Sequence, residues 1–517
     1  MERELKLELL QDQAEGLIGL PLVSACSVEP PHEERLVSTY FDTPELSFRR
    51  LHASLRVRQA GERFVQTLKT TGTQHGALYE REEFEAAIPG NVPDLGALRD
   101  KVPEGTALAI LLREGDLAER LRPVFVTDVR RMVLLLRLPQ GDEVELAVDR
   151  GVVRANDLTE PIRELEMEIQ AGEPAHLSAF ALQLLDAVPM RVSRLSKSDR
   201  GYALIADDAG QAARAEPLEL NAAGSAEAAF QCIARNCLAQ ISRNERGVVN
   251  GSDPESVHQM RVGLRRLRSA LDIFEPLIAC PPALQAELKW IADELGPARD
   301  WEVLANTTLR DAFKGAPQDM RADAVLAAAK AAAADARQRA AQAVNSDRYT
   351  RLILTLSHWL GSADWRHGLD EAQRAALTGP AGDFALTTLR QRQRRLLKRG
   401  RGMAKIDEQR RHRARIAAKK LRYATEFFGS LFAANQVHGY RRHLSRLQDD
   451  LGWRNDMAVA EKLLLRLGTE RQELAVGCGY ARGYIARCVG ADRQPLRRRW
   501  KRFKAASLPG RPAHPAS

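Results

Sequence analysis

Apolar and polar residues alternate along the first two hundred residues of the chain. The opening segment, residues 1–9, carries Glu2, Glu4, Lys6 and Glu8 at every second position, with leucines between the later ones. Successive side chains of a β-strand point to opposite faces. The spacing therefore predicts a strand with one charged face, bearing both signs of charge, and one apolar face.

The same alternation returns several times, with turn-forming residues such as Pro139–Asp142 between segments. This density of short alternating segments favours a closed or strongly curved sheet, with helices near residues 114–120 and 177–185. The segments that we predict as further strands are 53–58, 64–69, 81–88, 131–138, 143–149 and 164–169.

Beyond about residue 220 the alternation is replaced by the 3.6-residue periodicity of amphipathic helices. This half repeats itself: VHQMRVGLRRLR at 257–268 matches RHRARIAAKKLR at 411–422, and LGPARD at 295–300 matches LGWRND at 451–456. We predict a sheet domain at 1–205, a linker at 206–219, a helical domain at 220–505 and a disordered tail at 506–517. The helical domain is predicted to hold two homologous units, about 222–365 and 372–505.

Charge divides the chain in the same place. Residues 1–210 carry 25 Lys and Arg against 36 Asp and Glu, whereas the remainder carries 52 against 32. Such asymmetry predicts two modules, the second of which binds a polyanion. The six cysteines are scattered and no apolar segment suits a secretion signal or membrane span, so we expect a cytoplasmic protein with reduced thiols and no membrane partner.

The charged strand faces have two interpretations. They could lie on the surface and form cross-strand ion pairs. They could instead line the lumen of a barrel whose apolar faces are covered by helices. Such a lumen would hold an anionic substrate through its basic residues and Mg²⁺ or Mn²⁺ through its carboxylates. The recurrence of the pattern in five or six strands favours the lumen.

These segments resemble the CYTH, or triphosphate tunnel metalloenzyme, superfamily. Residues 2–6 match its ExExK signature, although Arg3 stands where an apolar residue is usual and is expected to point outward. The resemblance continues through Tyr40–Thr43, Leu55–Arg58, Gln66–Lys69, Arg81–Glu85, Thr127–Arg131, Glu145, Asp149–Gly151, Glu164–Glu168, Ser196–Lys197 and Arg200–Tyr202.

The resemblance implies an α+β multidomain protein whose N-terminal domain is an eight-stranded antiparallel β-barrel tunnel with helices. It also implies metal-assisted hydrolysis of a phosphoanhydride, with Mg²⁺ or Mn²⁺ as cofactor. The implied metal ligands are Glu2, Glu4, Asp149, Glu164 and Glu166. The implied triphosphate-binding residues are Lys6, Arg56, Arg58, Lys69, Arg81, Arg131 and Lys197. The expected catalytic residues are Glu83 as the base, Glu145 and Lys6.

The substrate is the open question for this domain. No obvious aromatic side chain is available to stack on an adenine or thiazolium ring, which favours inorganic triphosphate. The alternatives are an organic triphosphate, through thiamine triphosphatase or class IV adenylyl cyclase activity.

In the helical half, His258, Arg261, Arg265 and Arg268 form one stripe on a predicted helix. A matching stripe, with Arg266 and Lys420 alongside, is formed by His412, Arg415, Lys419 and Arg422. One basic stripe alone is typical of a solvated helix face, but two in the same register could face each other across a cleft for a polyanion.

These segments resemble the CHAD domain, through residues 257–262, 295–300, 419–423 and 448–456. The resemblance implies two pseudo-symmetric four-helix bundles that bind inorganic polyphosphate. Nucleic acid is the less favoured partner. The alternative for the whole chain is a non-catalytic polyphosphate-binding protein, with polyphosphate granules as a candidate location.

Overall fold

The computed structural model describes residues 2–10, 14–70, 72–75, 77–193, 195–205, 212–251, 253–403, 407–491 and 493–510. The chain divides into two compact units. The first comprises Met1–Gln211 together with Asn345–Ala363, and the second comprises Ala212–Val344 and Asp364–Ser517.

The described part of the first unit forms one antiparallel sheet. Its strands are β1 Glu2–Leu9, β2 His32–Asp42, β3 Ala53–Ala60, β4 Arg63–Thr70, β5 Thr73–His75, β6 Leu78–Arg81, β7 Glu83–Ile88, β8 Arg122–Arg137, β9 Glu143–Ala155, β10 Leu158–Ala171 and β11 Met190–Val192. They follow the order β5-β6-β1-β10-β9-β8-β2-β3-β4-β7, and β11 also pairs with β1.

This sheet curls until its two ends meet. Strands β6 and β7 are consecutive, separated only by Glu82, yet β6 pairs with β1 while β7 pairs with β4. The stretch 78–88 therefore acts as one strand that pairs with β1 at one end and with β4 at the other, and so closes the sheet. Counted in this way, eight strands enclose the lumen, and the short strands β5 and β11 are additions to the predicted barrel.

The charged face of β1 points into the lumen, as do charged residues of β3, β4, β6, β7, β8, β9 and β10. Glu4 and Lys6 are 2% and 6% exposed, and the leucines between and beyond them, Leu5 and Leu7, are fully buried. Helices cover the outer apolar face, because a sheet that is buried on both sides needs a second layer. The interpretation as surface strands is therefore wrong, and the predicted fold class, a curled antiparallel sheet domain followed by a helical domain, is confirmed.

The helices are α1 Ala14–Ile18, α2 Pro21–Cys26, α3 Ser47–Arg50, α4 Gly96–Arg99, α5 Ala107–Leu112, α6 Leu117–Arg120, α7 Pro174–Ala187, α8 Lys197–Ile205, α9 Ala226–Asn250, α10 Pro254–Phe274, α11 Pro282–Glu294, α12 Gly296–Val303, α13 Leu309–Ala312, α14 Ala322–Val344, α15 Asp347–Ser362, α16 Glu371–Thr378, α17 Ala381–Arg399, α18 Glu408–Phe427, α19 Ala434–Glu470, α20 Ala475–Ala491 and α21 Arg493–Ala505. None of the described helices combines the length and apolar character that a membrane span requires.

The first unit contains α1–α8 and also α15, although α15 lies within the predicted first helical repeat at 222–365. The predicted linker and tail are partly outside the described residues, at 206–211 and 511–517. The described part of the linker lies along α9, where Ala213 and Asn244 exchange hydrogen bonds of 2.8 and 3.0 Å. At the other end, the Gly510 amide donates to Gln436 at 2.8 Å.

The duplicated sequence appears in the second unit as a reciprocal pair of contacts. Helices α10 and α18 pack together, and Arg266 of α10 bonds to Glu426 of α18 at 2.8 Å. Lys420 of α18 forms an ion pair with Asp272 of α10. Because Lys420 and Glu426 lie 154 positions after Arg266 and Asp272, each copy offers equivalent residues to the other, as an approximate two-fold axis requires.

The two halves of this reciprocal contact differ in burial. Arg266 is 2% exposed and also donates to Gln240 and Asn236, whereas the Lys420 side chain is 36% exposed.

We expect Arg266→Ala to destabilise the unit by about 3 kcal/mol, because it leaves buried acceptors unpaired. The equivalent Lys420→Ala should lose about 1 kcal/mol or less. Native-state hydrogen exchange of α10 amides measures both losses, and equal losses would contradict this assignment.

Candidate functional site

The lumen of the first unit is a cavity of about 260 Å³ whose lining carries seven acidic and seven basic side chains. The acidic residues are Glu2, Glu4, Glu83, Glu85, Glu145, Glu166 and Glu168, and the basic residues are Lys6, Arg56, Arg58, Lys69, Arg81, Arg131 and Lys197. All seven basic residues expected from the sequence are thus brought together. Asp149 and Glu164, also expected here, lie fully buried behind the lining.

The opposite charges are not evenly mixed, because cations crowd around Arg58. Arg56 and burial, with Arg131 nearby, lower the pKa of the Arg58 guanidinium to about 10. The described residues provide no ion pair for Arg58, and its Nε atom is buried without a hydrogen-bond partner. Arg56 likewise has a buried Nε without a partner, although Glu83 lies 3.6 Å from its guanidinium. This part of the lumen has unused donors for an anion.

Carboxylates crowd at a second place in the lumen. Glu168 faces Glu4 and Glu145 across the neighbouring strands. Burial and the charges of Glu2 and Glu145 raise the pKa of Glu168 to about 7. Among the described residues, neither Glu145 nor Glu168 has an ion-pair partner. A cation would relieve this excess of negative charge.

Glu2 and Glu83 are better compensated, since both contact Lys69, at 3.1 and 2.8 Å. Burial alone would raise the pKa of Glu2, but Lys69 and Arg81 outweigh it and lower this pKa to about 2. Glu83 has a raised pKa, because burial and the nearby Glu2 outweigh Lys69 and Arg56.

The Lys197 ammonium lies among three carboxylates. Its Nζ is 2.7 Å from Asp149, 2.9 Å from Glu164 and 2.8 Å from Glu166. Oxygen atoms of these three carboxylates lie within 4.8 Å of one another, a grouping that could hold a metal ion. In this structure the ammonium occupies the centre of that grouping.

A hydrogen-bonded network fixes the turn that carries Lys197. Asp199 accepts from the Ser196 hydroxyl at 2.7 Å and from Arg49 at 2.5 Å. Arg49 also lies over the ring of Tyr202, whose hydroxyl donates to the buried Asp42 at 2.7 Å. Residues on both sides of Lys197 in the sequence, Ser196 and Asp199, are thus fixed, and they hold Lys197 at the lumen.

The donor set fits a hard divalent cation. All the candidate ligands are carboxylate oxygens, which suit Mg²⁺ or Mn²⁺ rather than softer metals. Two groups of carboxylates are available: Asp149, Glu164 and Glu166 around the Lys197 ammonium, and the uncompensated group that contains Glu145 and Glu168. Metal at the first group would require Lys197 to move.

The sequence interpretation did not include Glu85 and Glu168 among the site residues. Both follow a predicted site residue by two positions, Glu83 and Glu166 respectively, so the two-residue period was the available signal. Arg200 was missed too: it pairs with Glu160 and Glu164 and supports the wall behind Lys197.

No aromatic face is offered to a ligand by the described lining. Tyr40 is the aromatic residue of the cavity, and its ring stacks on Phe125 with centroids 4.5 Å apart. Phe125 in turn packs edge-on against Tyr202. The phenol ring of Tyr40 is thus part of a buried cluster and is 3% exposed.

The second unit has a separate cavity of about 660 Å³ between α10 and α18. Six of the ten residues predicted to bind polyphosphate line it: Arg265, Arg268, His412, Arg415, Lys419 and Lys420. Of the others, Arg266 makes the internal contacts described above, and Arg422 lies over the Tyr423 ring and 3.6 Å from Glu426. His258 and Arg261 do not line the cavity.

The cations of this cleft repel each other. Burial, followed by Arg265 and Arg415, lowers the pKa of Lys419 to about 7. Burial and Arg299 lower the pKa of His258 to about 4, so this imidazole is neutral at pH 7. The equivalent acids Asp300 and Asp456 have raised pKa values, because each is buried and, for Asp300, the other acid is close.

Comparison with known proteins identifies both units. The CYTH domain family matches residues 1–202, and the CHAD domain family matches residues 232–465. A crystal structure of the CHAD domain from the plant Ricinus communis is 37% identical, with a TM-score of 0.51, and the match covers 58% of this chain and 99% of that one. The chain is a CYTH domain followed by a CHAD domain.

The CYTH domain is similar to an inorganic triphosphatase of Haemophilus influenzae, at 30% identity over 206 residues, which is 40% of this chain. The chain spans 55% of the length of that relative. A proposed adenylyl cyclase of Hippeastrum, described as having a dominant triphosphatase activity, is 20% identical with a TM-score of 0.30 over 39% of this chain and 96% of that one.

The uncompensated carboxylates generate a prediction about metal binding. We expect Glu145→Gln and Glu168→Gln each to weaken Mn²⁺ binding about tenfold or more, because each removes one of the negative charges that a cation would neutralise. Glu143→Gln is the matched control, since Glu143 lies two residues from Glu145 on the same strand face but is 43% exposed and pairs with Arg137. Isothermal titration calorimetry measures the affinities, and equal losses in all three variants would contradict the assignment.

Proposed function

We propose that this protein hydrolyses inorganic triphosphate in the tunnel of its CYTH domain, with Mg²⁺ or Mn²⁺ as cofactor. The observation that carries the proposal is the separation of charge within the lumen. The buried Nε donors of Arg56 and Arg58, which lack hydrogen-bond partners among the described residues, suit phosphate oxygens. The crowded carboxylates at Glu145 and Glu168 suit the cation that accompanies a triphosphate. A metal–triphosphate complex carries both signs of charge, so it would relieve the excess of positive charge at Arg56 and Arg58 and the excess of negative charge at Glu145 and Glu168.

The basic residues of the lumen bind and orient the phosphate chain and neutralise charge on its oxygens during P–O cleavage. Lys6 and Arg131 are themselves held by Glu166, at 2.5 Å each, so their positions are set before substrate arrives. A bound metal would supply further neutralisation of phosphate charge. Its holders would be Glu145 and Glu168 with Glu2 and Glu4, and Asp149, Glu164 and Glu166 if Lys197 moves towards the phosphate.

The attacking water needs a base. Glu83 is the candidate because its raised pKa makes its carboxylate a stronger proton acceptor than an ordinary glutamate and because it faces the lumen beside Lys69 and Arg56. The water oxygen forms a bond to the terminal phosphorus as its proton passes to Glu83 Oε, and the P–O bond to the bridging oxygen breaks, so that this oxygen leaves with the pyrophosphate group.

Inorganic triphosphate is favoured over an organic triphosphate because the lining offers no free aromatic face. An adenine or thiazolium ring would need stacking or apolar contact, and the Tyr40 ring is already packed against Phe125. Thiamine triphosphate and ATP are therefore expected to be poorer substrates.

A phosphate-release screen tests this proposal with triphosphate, pyrophosphate, ATP, thiamine triphosphate and long-chain polyphosphate, each with Mg²⁺ or Mn²⁺. We expect triphosphate to be the preferred substrate. Lys6→Met and Lys69→Met should each lower kcat/KM by about 10²–10³-fold, since each removes a charge that faces the phosphates. Arg63→Met, at the exposed end of the Lys69 strand, is the control. A correctly folded wild-type protein that releases no phosphate from triphosphate would overturn the proposal.

We also propose that the cleft of the CHAD domain binds inorganic polyphosphate. Its support is the crowding of Arg265, Arg415 and Lys419, whose mutual repulsion a polyanion would relieve. Binding without hydrolysis, at polyphosphate granules in the cytoplasm, is the competing function for the whole chain. This alternative predicts that the cleft binds polyphosphate with the same affinity while the tunnel hydrolyses no triphosphate.

The lowered pKa of Lys419 makes polyphosphate binding dependent on pH. Below about pH 7 its ammonium is present in the free protein, whereas above that value the amine must take up a proton when the polyanion binds. Affinity should therefore fall about tenfold between pH 7 and pH 8.5, as one proton is taken up per Lys419. Lys419→Arg should bind without this decline, because an arginine stays charged. Fluorescence titration with long-chain polyphosphate at fixed ionic strength measures both, and parallel pH profiles would refute the role of Lys419.

A further inference from the structure

The barrel closes where β1 pairs with β6, the first part of the stretch 78–88. On one side β1 pairs continuously with β10. On the other side it has two short partners, β6 along residues 2–5 and β11 along residues 7–9. This side of β1, the closing seam, is therefore divided between two separate short strands rather than held by one continuous partner.

Helix α15 contacts β11 and the residue that directly precedes β6. The Ser357 hydroxyl accepts a hydrogen bond of 3.3 Å from the amide of Ala77, which directly precedes β6. Asn345, just before α15, bonds to Arg191 of β11, and α15 also packs on that strand. One helix therefore joins the two halves of the seam.

The same helix is anchored on α7. His358 bonds to the Ala175 carbonyl at 3.1 Å, and Arg351 pairs with Asp186 at 2.7 Å. Gly361 permits the close approach, since a Cβ at that position would lie 2.9 Å from the Ala175 side chain. Leu352, Ile353 and Leu356 of α15 are at most 2% exposed.

We infer that α15, although the chain places it between helices of the CHAD region, is a structural part of the tunnel unit and holds its closing seam. Strand β1 carries Glu2, Glu4 and Lys6, and β6 carries Arg81, so an open seam would displace four of the charged groups of the lumen. The tunnel thus depends on a segment 140 residues beyond its own predicted end at 205. The consequence for catalysis rests on the proposed triphosphatase function, whereas the structural claim does not.

Hydrogen–deuterium exchange on the full-length protein tests the claim. The double variant Asn345→Ala/Ser357→Ala removes the two polar links to the seam, and we expect amides of β6 and β11 to exchange about fivefold faster or more, with β8 and β9 unchanged. Arg351→Ala is the matched control, because it removes an exposed link of the same helix to α7 alone. Unchanged exchange in β6 and β11 of the double variant would overturn the inference.

A second pair of variants tests the same claim through the packing of α15 on α7. Gly361→Leu forces the end of α15 away from Ala175, whereas Gly479→Leu adds the same side chain to α20, where a Cβ meets nothing within 4 Å. Only Gly361→Leu should loosen β6 and β11. Phosphate release is measured in parallel: an inactive wild type would overturn the triphosphatase proposal, while the exchange pattern would still decide the role of α15.

Discussion

Burying a charged side chain in a protein costs several kcal/mol unless an opposite charge lies close to it, and the CYTH domain gathers fourteen such side chains around one lumen. Most of the acids are tolerated because a base lies close to them, as Lys6, Arg131 and Lys197 lie close to Glu166. This requirement fixes the strand register, since a slip by one residue would turn every charge outward and every leucine inward. The closed sheet, its covering helices and the substrate class that we propose all follow from that arrangement.

The acidic and basic side chains of the lumen are equal in number but unevenly distributed in space. Among the residues that the structure describes, Arg58 lacks an acidic partner, and Glu145 and Glu168 lack basic ones. An evenly paired lumen would be a purely structural solution with little reason to bind anything. The unevenness instead marks where phosphate and metal would complete the pairing, and it arises because Lys197 and Arg131 are drawn to the buried carboxylates around Asp149.

Much of the barrel could be predicted because a two-residue period leaves a direct mark in the sequence. The period shows which residues share a face of one strand: Glu2, Glu4 and Lys6 on one strand, and Arg56 and Arg58 on another. The recurrence of charged faces and the resemblance to the CYTH family then placed both faces in one lumen. The period could not show how the charges pair across strands, because pairing depends on register and on side-chain reach. For this reason Glu168 was passed over, and the ion pairs of Lys197 with Asp149, Glu164 and Glu166, which were expected as metal ligands, could not be foreseen. The place of α15 was hidden for another reason, since helical periodicity identifies a buried face but not the partner that buries it.

The helical half was predictable to a similar depth. The repeat at an offset of 154 residues indicated two copies, and the reciprocal contacts of Arg266 with Glu426 and of Lys420 with Asp272 are its structural counterpart. The stripe of basic residues did not reveal that Arg266 turns inward between the copies, because Arg266 carries the same charge as its neighbours Arg265 and Arg268, which are less buried.

The most direct test of the central claim is a crystal structure with triphosphate and Mn²⁺, using anomalous scattering to locate the metal. We expect phosphate oxygens within hydrogen-bonding distance of Arg56 and Arg58, and Mn²⁺ bound by lumen carboxylates that include Glu168. Triphosphate bound outside the lumen, or inside it without contact to Arg58 and without metal, would contradict the proposed roles of these residues.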